Sequence, residues 1–328
     1  MSNSLVSARR AAIDNELAEL SRKVALLKAE RNSLAPIATL PNELLVRILA
    51  AFTAGTALSM RQPSTLAKLM FVCRHWANII AAFPTLWDEI TLWSLPSRRS
   101  LEAQLLRSGV APVGIYILQF SSFHYTPLIL ANVARIKALD LAGERSDLVE
   151  FLQAMQEVDF PMLRSLALIA YESAQPVPDV HLPRDLFRRM PSLCNLELRE
   201  IDAPWEYLPP LRSLRLSVKH TSSLNPFPLP VLFNLLKSSP TLHTLNLDLA
   251  IQAGSVNSSL RVDLPQLKLL HLSTMLGHCE DLINRLTFPA STRLLLYPEY
   301  IRTVEDIRHI LVPIRNHLRA QPRQSPPL

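Results

Sequence analysis

The pattern L-x-x-L-x-L recurs between residues 136 and 296, and it fixes most of what the chain can fold into. Its copies are Ile136/Leu139/Leu141, Leu163/Leu166/Leu168, Leu193/Leu196/Leu198, Leu211/Leu214/Leu216, Leu242/Leu245/Leu247 and Leu267/Leu270/Leu272. A degenerate copy, Ser291/Leu294/Leu296, follows. A proline stands two residues before the first repeat position in six of the seven: Pro161, Pro191, Pro209, Pro240, Pro265 and Pro289. That shared register separates a repeat from scattered leucines. Apolar residues at alternate positions of a short run predict a strand with one face buried.

The copies follow one another at intervals of 27, 30, 18, 31, 25 and 24 residues. Helix-like segments fill the gaps at Asp147–Val158, Pro183–Met190, Leu229–Ser238 and Glu280–Leu286. The interval of 18 leaves no room for a full helix. One strand and one helix per period is the leucine-rich-repeat layout. Single units cannot bury their apolar side, so they stack into a solenoid with a parallel sheet on the concave face. The Asn or Cys of the usual turn ladder is missing, so the repeats are irregular. An extra strand is expected at Gly114–Phe120, and an amphipathic helix over 304–320 would cap the far end. The residues beside the inward leucines point to the open face. They include Asp140, Glu197, Arg199, Arg215, Asn246, Asp248, His271, Ser273 and Tyr297, and they form a mixed polar strip. It reads either as a recognition surface or as ordinary solvated sheet.

Upstream, residues 6–34 predict one helix. Ile13, Leu17, Leu20, Val24, Leu27 and Leu34 recur at alternating spacings of four and three, with Arg31 in the remaining slot. Two readings fit: a short coiled coil forming a weak homodimer through 6–34, or an amphipathic helix folded back on its own domain.

Between them lies 36–92. In LPNELLVRIL (Leu40–Leu49), Pro41 and Glu43 suit the first turn of a helix. Leu44, Leu45, Ile48, Leu49 and Phe52 give it an apolar face. After a polar insert at Ala54–Pro63, Ser64 is placed to cap a second helix running to about Phe83. That helix carries one stripe through Leu66, Leu69, Met70, Cys73, Trp76, Ala77 and Ile80, and a second beside it through Val72, Trp76, Ile79 and Phe83. Pro84 stops it, and Thr85–Leu86–Trp87 folds back to close the unit. So small a unit buries little surface, and the second stripe predicts a partner.

The segments Leu40-Pro41-x-Glu43, Ile48-Leu49, Val72-Cys73-Arg74-x-Trp76 and Pro84-x-Leu86-Trp87 resemble an F-box, in the F-box-like form common in mushroom-forming fungi. Pro36-Ile37-Ala38-Thr39-Leu40-Pro41, preceded by a heptad-rich helix, is similar to the start of those domains. The resemblance implies docking on the Skp-type adaptor of a cullin–RING ubiquitin ligase. Leu40, Pro41, Leu44, Ile48 and Leu49 would face the adaptor, with Val72 and Trp76, while Leu86 and Trp87 pack internally. Irregular leucine-rich repeats following such a domain imply a substrate-recognition subunit of an SCF-type ligase. A non-ligase scaffold with a diverged F-box is the alternative.

The expected fold is thus α/β: a heptad helix (1–35), a small helical F-box-like unit (36–92), a leucine-rich-repeat solenoid with a parallel sheet and a C-terminal helix (93–320), and a disordered tail (321–328). Other classes lack their signatures. Six glycines build no phosphate-binding loop. A net charge of +6 is mild and scattered, giving no stripe for nucleic acid. Cys73, Cys194 and Cys279 form no CxxC and suggest no disulfide framework. Nine histidines show no metal spacing. Neither a signal region nor a membrane span is evident, so a cytoplasmic or nuclear protein is expected. No cofactor, no metal and no catalytic residue is expected, and the chain reads as a non-enzyme.

Overall fold

The computed structural model describes residues 2–54, 63–92, 97–171, 180–218, 227–249, 251–252, 261–299, 308 and 311–315. It divides into two compact units, Met1–Thr91 with Leu106–Ala111, and Leu92–Leu105 with Pro112–Leu328.

The first unit begins with α1 (Ser2–Ser33), an uninterrupted run rich in Ala, Leu, Glu, Lys and Arg, with no glycine or proline. Pro36–Thr39 forms a single 3₁₀ turn. The carbonyl of Pro41 then accepts the N–H of Leu45 and opens α2 (Asn42–Ala54). The single helix expected over 64–83 is instead two: α3 (Pro63–Met70) and α4 (Arg74–Ala82). Pro63 starts the first and Ser64 lies inside it, so Ser64 is not the cap. Phe71 and Val72 close tight bonds back to Lys68 and Leu69, and Cys73 is extended. Aromatic and β-branched residues are weak helix formers at that junction. The break lets both short helices turn apolar residues to one core. Leu45 and Leu49 meet Leu66, Ile79, Ile80, Leu86 and Trp87 there. The Trp87 indole N–H donates to the Ile80 carbonyl at 2.8 Å. The Arg107 guanidinium lies 4.7 Å over the Trp87 ring. The insert at 55–62 falls outside the described residues.

The main sheet has nine strands in chain order: β1 (Glu89–Leu92), β2 (Val113–Phe120), β3 (Ile136–Gly143), β4 (Ser165–Ala170), β5 (Asn195–Arg199), β6 (Ser213–Val218), β7 (Thr244–Leu249), β8 (Leu269–Met275) and β9 (Arg293–Glu299). From β2 to β9 every pairing is parallel. The L-x-x-L-x-L copies stay in register: Leu139, Leu166, Leu196, Leu214, Leu245 and Leu270 form one row. Leu141, Leu168, Leu198, Leu216, Leu247 and Leu272 form a second, and both rows are buried. The preceding prolines have a defined place. Pro161, Pro191, Pro240 and Pro265 each sit second in a four-residue turn whose last N–H, from Leu163, Leu193, Leu242 or Leu267, returns to the carbonyl before the proline. At Leu211 the Ser239 hydroxyl accepts the backbone N–H instead, at 3.0 Å.

Helices α5 (Arg98–Arg107), α6 (Ser122–Leu130), α7 (Arg145–Ala154), α8 (Leu229–Lys237) and α9 (Leu276–Arg285) occupy the connections. The helix expected at Pro183–Met190 reduces to one 3₁₀ turn, Leu186–Arg189, which still buries Leu186 and Phe187. In the 18-residue interval a 3₁₀ turn, Trp205–Tyr207, stands in place of a helix. Short parallel pairs join the connections: Val180 to Ile201, Phe227 to Ile251 and Val262 to Leu286. The helix expected over 304–320 is described, as helix, only at 308 and 311–315.

Candidate functional site

In the first unit, consecutive residues of α2 divide between core and surface. Leu45 and Leu49 are 0% and 2% exposed, whereas Leu44 and Ile48 are 43% and 46% exposed, with Phe52 further along the same outward stripe. Spacings of four place each pair on its own helix face. Leu49 therefore cannot face an adaptor as expected; the core needs its side chain beside Leu45. The second stripe is likewise corrected. Ile79 is buried, and Trp76 and Phe83 pack against the core. This is possible because the break at 71–73 rotates α4 relative to α3. Phe71 and Val72, on the junction itself, stay exposed. Pro41 is exposed and Leu40 half-buried.

Val72 and Trp76 line a groove of about 540 Å³ with Ala25 and Ala29 of α1 and Ile37 and Ala38 of the following turn. Lys28 and Arg74 add positive charge to its walls. Leu44 and Ile48 stand outside those walls. The surface is thus apolar, with basic groups beside it.

The second unit presents the open face of the sheet. Tyr116, Asp140, Ala167, Glu197, Arg215, Asn246 and His271 follow one another in register across β2 to β8. Ala167 and Tyr116 are the members that the repeat pattern did not single out. Tyr116 lies on the strand without a leucine copy, and no signal in the sequence marks Ala167. Asp140, Ala167, Glu197 and Arg215 wall a cavity of about 160 Å³. The small Ala167 side chain opens it between two carboxylate-bearing strands. Arg215 Nη1 donates to Glu197 Oε2 at 2.9 Å. Asp140 Oδ1 is enclosed and has no hydrogen-bond partner. Burial, reinforced by Glu197 and opposed by Arg215, pushes the Asp140 carboxyl up to about 6.

The neighbouring row runs Arg199, Ser217, Asp248, Ser273 and Tyr297. Ser217 Oγ donates to Asp248 at 3.0 Å, and Arg199 is exposed. The His271 and Tyr297 rings meet at a tilt of 51°, with centroids 5.1 Å apart. The predicted strip is therefore two adjacent rows rather than one: an acidic pocket at β3–β6 and an aromatic pair at β8–β9.

Among the described residues, no three His, Cys, Asp or Glu side chains gather as a metal site, and no helix is long and apolar enough to cross a membrane. Burial pushes the Cys279 thiol up to about 11, away from nucleophilic use. No curated protein matches the chain. Residues 37–93 match the family model described as F-box-like, so the chain carries an F-box-like domain over the core, the α2 stripe and the groove walls at 37–38 and 72–76.

Proposed function

We propose that this chain is the substrate-recognition subunit of an SCF-type cullin–RING ubiquitin ligase. The observation that carries this reading is the F-box-like match over 37–93, because F-box domains generally bind Skp-type adaptors. The exposed apolar side chains of Leu44, Ile48 and Val72 support it, since a partner would remove them from water. Leu40, Pro41 and the half-buried Trp76 complete the docking surface.

The second unit then recruits the target. The common register of the L-x-x-L-x-L rows supports reading it as irregular leucine-rich repeats, of the kind that follow F-box domains in mushroom-forming fungi. Its open face offers charged and aromatic groups, Asp140, Glu197, Arg215, His271 and Tyr297, on rigid strands. The chain carries no chemistry of its own. It acts by proximity, holding a target near the ligase at high effective concentration in the cytoplasm or nucleus.

The test is a reconstituted ligation reaction with adaptor, cullin and RING components and a lysate as the source of targets. Wild-type chain should direct ubiquitin to a defined set of proteins. Reversing Glu197 and Arg215 together, Glu197→Arg with Arg215→Glu, should change that set without moving the melting temperature. An unchanged set would remove the open face from recognition.

A further inference from the structure

The first helix has its own unpartnered surface. Val6, Ile13, Leu17, Leu20, Val24 and Leu27 of α1 form a stripe whose members are all between 42% and 66% exposed. A different face of α1 serves its own unit: Ala25, Ala29 and Asn32 line the groove beside Val72 and Trp76. The stripe is therefore not the face by which α1 rests on its domain. Six large apolar side chains in line over 22 residues of helix exceed scattered surface hydrophobics.

We propose that this stripe pairs with the same stripe on a second copy of the chain, with the two α1 helices antiparallel. The charges beside the stripe decide the direction. In heptad terms Val6, Ile13, Leu20 and Leu27 occupy d, and Arg10, Leu17, Val24 and Arg31 occupy a. The flanking g positions are Arg9, Glu16, Lys23 and Glu30, and the e positions are Ser7, Asp14, Ser21 and Lys28.

A parallel pair would set each buried Arg10 and Arg31 against its own copy, like charge on like charge in the seam. It would also bring Lys23 beside the partner's Lys28, leaving Arg9 with the partner's Asp14 as its favourable flank. The antiparallel pair removes each conflict. Leu17 meets the partner's Leu20, and Val24 meets the partner's Ile13. Arg10 lies beside the partner's Leu27, and Arg31 beside the partner's Val6. There each long stem packs on an apolar side chain and its head reaches water. On the flank, Arg9 faces the partner's Glu30 and Glu16 faces the partner's Lys23. By symmetry each attraction occurs twice. In this register α1 overlaps its copy from Ser4 to Ser33, nearly its whole length. The result is a rod of about 45 Å with an F-box-like domain entering at each end.

Sedimentation of the full chain and disulfide trapping test both pairing and direction. The wild type should dimerise at micromolar concentration. Lys23→Glu turns the attraction to the partner's Glu16 into a repulsion between carboxylates and should weaken the dimer about tenfold; adding Glu16→Lys should restore it. A parallel pair predicts the reverse for Lys23→Glu, because a Lys–Lys clash is relieved. For trapping, Cys73 and Cys194 are replaced by Ser, and the buried Cys279 is kept. Under oxidation, Val24→Cys alone should stay uncrosslinked, whereas a mixture of Ile13→Cys and Val24→Cys chains should yield a covalent dimer. A chain that is monomeric at every concentration overturns the proposal, as does tightening by Lys23→Glu. So do self-crosslinking of Val24→Cys and a dimer that neither charge substitution alters.

Discussion

Arg215 holds Glu197 at 2.9 Å across adjacent strands, while Asp140, two strands further along the same row, has an enclosed oxygen with no hydrogen-bond partner. One carboxylate of this pocket is neutralised by its neighbour and the other carries the local cost of burial.

That cost gives a pH signature. Asp140 titrates at about 6 in the folded chain, above its ordinary 3.8, so the folded state holds the proton more tightly than the unfolded state. Its contribution is therefore favourable at low pH and is lost as pH rises from about 4 to about 6. Asp140→Asn should match the wild type in melting temperature near pH 4. At pH 7 it should be more stable, by on the order of 2 kcal/mol at most. Thermal unfolding of both chains at the two pH values checks this. Equal melting at pH 7 would mean that the carboxylate is not desolvated.

Neighbouring leucines of α2 should behave oppositely. Leu45→Ala empties a fully buried site and should cost roughly 2–5 kcal/mol of stability. Leu44→Ala, on the exposed stripe, should cost well under about 1 kcal/mol. Chemical denaturation, followed by the fluorescence of the buried Trp87, distinguishes them.

A second buried charge lies deeper in the second unit. Glu200 has a left-handed φ of 56° and is almost fully enclosed, with a carboxylate oxygen 3.7 Å from Arg145 Nη2. Its backbone N–H donates to the Ser217 carbonyl at 2.8 Å, which holds the strained residue in place. Glu200→Ala leaves the buried Arg145 charge without this counterion and should cost about 3–5 kcal/mol. Adding Arg145→Leu should recover part of that loss. A double-mutant cycle with no coupling would contradict the pairing.

Gly143 ends β3 where a Cβ would lie 2.8 Å from the Phe120 backbone oxygen. Gly143→Ala must push β2 and β3 apart locally and should cost about 1–3 kcal/mol. Gly277 has open space around its Cα, so Gly277→Ala, inside α9, should be neutral or slightly stabilising. Melting temperatures of the two variants make the comparison.

The strand rows were legible in the sequence because leucine spacing and proline position report one backbone event, a turn feeding a strand. The two α2 stripes were only half legible. Periodicity marks Leu44, Leu45, Ile48 and Leu49 as one apolar surface, and only the packing of Ile80 and Trp87 decides which pair goes inside. The break at Phe71–Cys73 was hidden because neither glycine nor proline marks it. The cap on α6 was hidden for another reason: Asp147, twenty-five residues away, accepts the Ser122 N–H at 2.7 Å, a contact between elements that local signals cannot carry. In the open face, alternation alone marks the charged members. The cavity depends on Ala167, a residue whose importance lies in what it leaves empty.

The central claim is adaptor docking through the exposed α2 stripe, and calorimetric titration of a purified Skp-type adaptor into the full chain tests it most directly. The account predicts saturable binding at micromolar affinity or tighter. Leu44→Asp with Ile48→Asp should abolish it, while the melting temperature of the chain is kept. Absence of binding by the wild type, or undiminished binding by the double variant, would contradict the account.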